Sequence, residues 1–177
     1  KVNGSFSKYN FSFTGSQDDF LLEFGSQITD YRIKPQLDFS LGNHHLKTGL
    51  SYTFHDIVPN NSSAEQGETQ FDLGEPQQSY GHEGAVFVSD EFNVNENWKV
   101  EAGLRLSAFA QTGPFTRFID DETGSKQDTV EYGNGEIIAD YLGWEPRFST
   151  SYQFSEEASL KASFTQNYQY IHLANLS

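Results

Sequence analysis

Apolar and polar side chains alternate with a strict two-residue period in runs of about 10 to 14 residues, which is the signature of strands with two chemically different faces. From Thr29 to Leu41 the odd positions Tyr31, Ile33, Pro35, Leu37, Phe39 and Leu41 oppose Asp30, Arg32, Lys34, Gln36, Asp38 and Ser40. Leu46, Leu50, Tyr52 and Phe54 oppose Lys47, Gly49, Ser51, Thr53 and His55. Trp98, Val100, Leu104 and Leu106 oppose Lys99, Glu101, Gly103 and Arg105, and Leu142, Trp144, Pro146 and Phe148 oppose Gly143, Glu145, Arg147 and Ser149. A fifth run puts Leu160, Ala162, Phe164, Tyr168 and Tyr170 on one face. Two less regular runs, Phe6 to Thr14 with Tyr9, Phe11 and Phe13 on one side, and Glu83 to Val94, bring the expected count to seven strands and no helix.

The connections separate a membrane barrel from a soluble one. In order they are Gly15 to Gly25, Gly42 to His44, Pro59 to His82, Asn95 to Asn97, Gly113 to Asp140 and Ser155 to Ser159, so long and short alternate. In an antiparallel meander this puts every long loop at one end and every tight turn at the other, as in outer-membrane barrels. The runs exceed the globular mode of about 5–6 residues per strand. They match the roughly 9–11 tilted residues that cross the hydrocarbon layer. Acidity is one-sided too: the three long connections, the second counted through Glu83, carry 13 units of the net charge of −14. Pro35 and Pro146 stand out because each lies inside a run read as a paired strand and cannot donate to the ladder.

Composition removes other functions. No stretch approaches the roughly 20 apolar residues of a membrane helix. The absence of Cys excludes disulfides and thiolate metal sites, and the acidic balance opposes binding to phosphate backbones. A 15% aromatic content, with 16 Phe and 9 Tyr, argues against disorder despite a mean hydropathy of −0.61. The opening Lys1-Val2-Asn3-Gly4 carries neither initiator Met nor signal sequence, so the chain is expected to be a processed or excised piece.

The segment Gly84-Ala85-Val86-Phe87-Val88-Ser89-Asp90-Glu91-Phe92, the turn Asn95-Glu96-Asn97-Trp98 and the strand Glu101-Ala102-Gly103-Leu104-Arg105-Leu106-Ser107 resemble the barrel of TonB-dependent outer-membrane transporters. Glu145-Pro146-Arg147-Phe148-Ser149, Ser159 to Phe164 and Gln169-Tyr170-Ile171-His172-Leu173 are similar to members from Bacteroidota-type bacteria. The resemblance implies a barrel of about 22 strands closed around an N-terminal plug. It further implies coupling to the TonB complex and uptake of a scarce or bulky nutrient: an iron chelate, vitamin, glycan or peptide.

The resulting expectation is an all-β, antiparallel, up-and-down transmembrane β-barrel segment with short periplasmic turns and long extracellular loops, residues 1–177 forming one partial domain without plug. Its place is the cell outer membrane. The partners implied are membrane lipid and lipopolysaccharide, the plug of the same parent protein, the TonB complex, and a surface lipoprotein lid. The rival function is a passive porin-like or adhesin-like barrel without energy coupling.

Glu101, Arg105, Glu145 and Arg147 share the polar face of neighbouring strands and are expected to meet plug carboxylates, because a guanidinium pairs bidentately with them. Phe71, Tyr80, Phe115, Phe118 and Tyr132 fall in the long connections and are candidates for contact with a ligand or lid. Trp98, Phe39 and Phe154 near the turns, with Tyr31, Tyr52, Phe54 and Trp144 near the loops, fit two interfacial girdles. The five histidines show no ligand spacing, Asp120-Asp121-Glu122 and Glu156-Glu157 read as solvated charge, and no nucleophile elbow occurs. No metal, cofactor or catalysis is expected.

Overall fold

The computed structural model describes residues 1–71, 77–120 and 126–171. Ten strands follow in order: β1 (Val2–Gln17), β2 (Phe20–Leu41), β3 (His44–Gln66), β4 (Thr69–Phe71), β5 (Ser79–Asn95), β6 (Trp98–Thr112), β7 (Phe115–Asp120), β8 (Lys126–Tyr132), β9 (Ile137–Gln153) and β10 (Ser159–Thr165). Seven long strands pair in the order β1-β2-β3-β5-β6-β9-β10, every neighbour antiparallel, and curl into a half-barrel. β4 adds a short ladder to β3, and β7 pairs only with β8.

The molecule is inside-out relative to a soluble sandwich. Buried side chains include Ser51, Thr53, Ser79, Ser107 and Glu145 on the inner face, whereas Ile33, Leu37, Leu50, Val86, Val88, Leu104, Leu142, Trp144 and Phe148 stand exposed on the outer one. Register explains how this becomes a continuous belt, because outward positions line up across strands: Leu50 with Val86, Val86 with Leu106, and Leu106 with Trp144. At the loop end the belt closes in a row of outward aromatics. Phe6 lies 5.3 Å from Tyr31, Tyr31 6.4 Å from Phe54, and Phe54 5.7 Å from Tyr80. Asp90 also takes an outward position, and His44 Nδ1 lies 2.6 Å from it.

The long connections differ from expectation. Gly15 to Gly25 is not a loop: β1 and β2 stay paired up to a two-residue turn at Asp18-Asp19, where Asp18 takes φ 52°. Phe13 pairs with Phe24 and Gly15 with Leu22, so the ladder continues through residues that read as turn formers. β3 runs on to Gln66 and turns at Gly67 into β4, and the connection after β6 holds the β7–β8 hairpin. With 22 and 23 residues, β2 and β3 are longer than a bilayer requires and project beyond it.

Along this projection the faces exchange chemistry while parity is kept. The unbroken β1–β2 register pairs Tyr9 with Ile28, Ser7 with Asp30 and Asn3 with Lys34, which places Tyr9, Phe11 and Phe13 on the inner face, above Asp30 and Arg32. Asn10, Ser12 and Thr14 take the outer face. The change falls at Ile28 to Tyr31, the level of the aromatic row.

Both prolines sit where the ladder does not need their donor. The β2–β3 pairing lapses between Ile33↔Tyr52 and Gln36↔Gly49, the stretch that contains Pro35, and a Cβ on Gly49 would lie 2.5 Å from the Pro35 carbonyl oxygen. Pro146 pairs with Leu104 on β6, but the β9–β10 ladder ends at Arg147↔Thr165, one residue short of it. The expected fifth run is accordingly cut: β10 stops at Thr165, and Tyr168 and Tyr170 turn onto the inner wall instead of extending the outer face.

Candidate functional site

Inward positions on consecutive strands assemble one polar chain across the half-barrel. Arg105 on β6 faces Glu145 on β9 in the register, with Nε 3.6 Å from Glu145 Oε1, and its Nη2 donates to Glu83 Oε1 on β5 at 3.1 Å. Ser107 Oγ donates to Glu145 Oε1 at 2.5 Å, and Tyr170 Oη lies 2.7 Å from Ser107 Oγ. On the other side His55 Nδ1 is 2.7 Å from Asp30 Oδ1, and Ser7 Oγ donates to the other oxygen of Asp30 at 3.3 Å. His55 Nε2 is 4.0 Å from Glu83 Oε2 and has no hydrogen-bond partner among the described residues. Six strands and the segment after β10 are thereby tied together, with two carboxylates on the Arg105 guanidinium and a third, Asp30, on His55.

Aromatic rings lie beside this chain. Phe109 is buried, stacks on Tyr170 at 5.5 Å and 10°, and faces His55 at 6.4 Å; Tyr170 in turn stacks on Tyr168 at 6.2 Å and 9°. Two glycines make room for the stack. A Cβ at Gly143 would lie 2.5 Å from the Tyr168 ring, and one at Gly81 would lie 3.0 Å from Phe109. The wall can therefore carry large side chains flat against itself and keep the lumen open.

Of the four residues expected to form one cluster, Arg105 and Glu145 meet directly. Glu101 and Arg147 form no ion pair with a described residue; they border a cleft of about 180 Å³ with Lys34, Gln36, Lys47 and Arg105. Lys34 also places Nζ 4.9 Å from the Phe87 ring centre. Glu83 and His55 are the residues that sequence reasoning missed. Glu83 reads as the end of an acidic loop, yet it shares parity with Ala85 and Phe87, and that parity was the available signal.

The aromatics expected at the loop end are dispersed. Tyr80 lies in β5 on the outer face against Phe54, so it belongs to the girdle. Phe71 is exposed on β4, and Phe115 faces Tyr132 across the β7–β8 ladder. Phe118 belongs to β7, its side chain lying outside the described residues, as do Asp72, Glu75, Asp121, Glu122 and His172.

The family model for the TonB dependent receptor-like beta-barrel matches residues 1–172. The chain belongs to this family. Its members are receptor barrels of the outer membrane, not enzymes. No curated protein sequence matches it. Among solved structures it is similar to the unliganded ferric citrate transporter FecA, with a TM-score of 0.57 and 13% identity, over 92% of this chain and 23% of that one. At that identity the likeness concerns the fold, and the chain spans under a quarter of FecA's length.

Proposed function

We propose that this chain is a section of a longer TonB-dependent transporter that takes up a nutrient too scarce or bulky for passive pores, an iron chelate, vitamin, glycan or peptide. The observation that carries the reading is the family match over 172 residues on a half-barrel whose convex face is apolar and whose concave face is polar. The convex belt meets lipid and lipopolysaccharide. The concave wall meets the plug of the parent protein, and the TonB complex drives the plug from the periplasm.

The wall divides the work of plug contact. Arg105 is already held by Glu83 and Glu145, so it organises the wall, while Arg147, with Lys34 and Lys47 beside the same cleft, takes plug carboxylates. Uptake of the native nutrient by cells expressing the full-length receptor, with and without a working TonB complex, tests the function. Loss of uptake without TonB is expected; undiminished uptake would mark a passive barrel. Charge reversal of Arg147, as Arg147→Glu, is expected to weaken plug retention, and unchanged retention and transport would refute its role.

A further inference from the structure

The β9–β10 ladder stops partway up the wall, while β9 does not. Its last bond runs from the Gln166 N–H to the Pro146 carbonyl oxygen at 3.1 Å, whereas β9 begins at Ile137 and is paired on its other side with β6 all the way to Thr112. In an antiparallel ladder the N–H and C=O of one residue point to the same side, and that side alternates along the strand. Trp144 and Leu142 share the parity of Pro146, so their backbone groups face the flank that β10 has left. Among the described residues these groups have no backbone partner on that flank.

The depth of this edge makes it costly to leave open. Trp144 pairs with Leu106 and Leu142 with Ala108, one and two outward positions beyond Leu104 at mid-height of β6. Both side chains belong to the apolar outer face, 56% and 66% exposed. Hydrocarbon offers no hydrogen bonds, and membrane barrels therefore carry no open strand edges. Up to Ile171 the chain beyond β10 passes this gap instead of filling it. Tyr168 lies against Gly143, and Tyr170 reaches Ser107 and stacks on Phe109 and Tyr141, so the segment climbs the inner face past Trp144 and Leu142.

We infer that the strand standing beside β10 in the parent wall crosses the end of β10 and pairs directly with β9 at Leu142 and Trp144. The inference rests on the reading of this chain as a section of a longer receptor, and it fixes how the next section joins. The new contact continues the flank of β9 that β10 already occupies at Arg147 to Gln153, and the chain spans only 23% of FecA, so most of the wall lies elsewhere in the parent. A second copy does not fit, because the parent's own wall closes the same flank. Strand direction alternates in an up-and-down wall, so the incoming strand runs the same way as β9. The joint is then a short parallel step in an otherwise antiparallel sheet. Pro146 stands at the step, where it brings no donor to be left unpaired at the changeover.

Photo-crosslinking and amide exchange on the full-length receptor in its membrane test this together. With p-benzoylphenylalanine in place of Leu142 or, separately, of Trp144, links are expected to β6 and also to a segment outside residues 1–177, located by mass spectrometry of the digest. The amides of Leu142 and Trp144 are expected to exchange with deuterium about 100-fold or more below the unprotected rate. Links confined to β6 and lipid, a second link to residues 159–177 or to another copy of the receptor, or an unprotected amide at either position would each overturn the inference. Uptake that needs no TonB complex would refute the transporter reading and leave this joint standing, while an open edge in a TonB-dependent receptor would do the reverse.

Discussion

Glu145 shows how the inner wall uses a buried charge. Its side chain is 7% exposed, yet its carboxylate is answered by the Ser107 hydroxyl and the Arg105 guanidinium. Replacement by Gln keeps the shape but leaves Arg105 with Glu83 alone, and weakening a buried charge-assisted contact costs about 1–3 kcal/mol. Equilibrium unfolding of the full-length barrel in urea should show a loss of that size for Glu145→Gln. Gly143 supports the same site by having no side chain: Gly143→Val would push the Tyr168 ring outward and release the segment that Tyr170 anchors. Thiol labelling of a Gln169→Cys reporter is expected to accelerate in that variant. Strand parity put Arg105 and Glu145 on one face, but their direct pairing is set by the β6–β9 register, which parity does not give. The partnership with Glu83 was not legible, because an acidic residue at the end of a loop run gives no sign that the ladder continues through it.

At the scale of the strand, the alternation placed the faces of β2, β3, β6 and β9 correctly, since each spans the belt where outward means apolar. It was less informative for β1, where Phe6 faces out and Tyr9, Phe11 and Phe13 face in. Periodicity reports that two faces differ; it does not report which solvent each face meets, and that changes where β1 and β2 leave the bilayer. The fifth run failed for another reason, because the β9–β10 ladder lapses just before Pro146, which brings no donor, and the chain beyond Thr165 turns inward. The belt yields a depth-dependent prediction. Leu104→Arg, at mid-height of β6, should cost about 2–4 kcal/mol of folding free energy in vesicles, while Leu41→Arg beside the β2–β3 turn should cost about 0–1 kcal/mol. The inward Ser89→Arg is expected to be nearly neutral by the same measurement.

For the whole molecule, the acidic composition that suggests a soluble protein belongs to an inside-out sheet: polar side chains line the inner face, acids gather at the loop end, and the apolar share turns outward. Seven strands in a half-barrel are a section of wall, and the family match places that wall in the outer membrane. The central claim is the direction of the faces, and spin-label scanning along Ala102 to Phe109 of the full-length receptor in lipid tests it most directly. Labels at Ala102, Leu104, Leu106 and Ala108 are expected to be accessible to oxygen and shielded from a water-soluble nickel chelate. Those at Gly103, Ser107 and Phe109 are expected to show the opposite, and a reversed or uniform pattern would contradict the account.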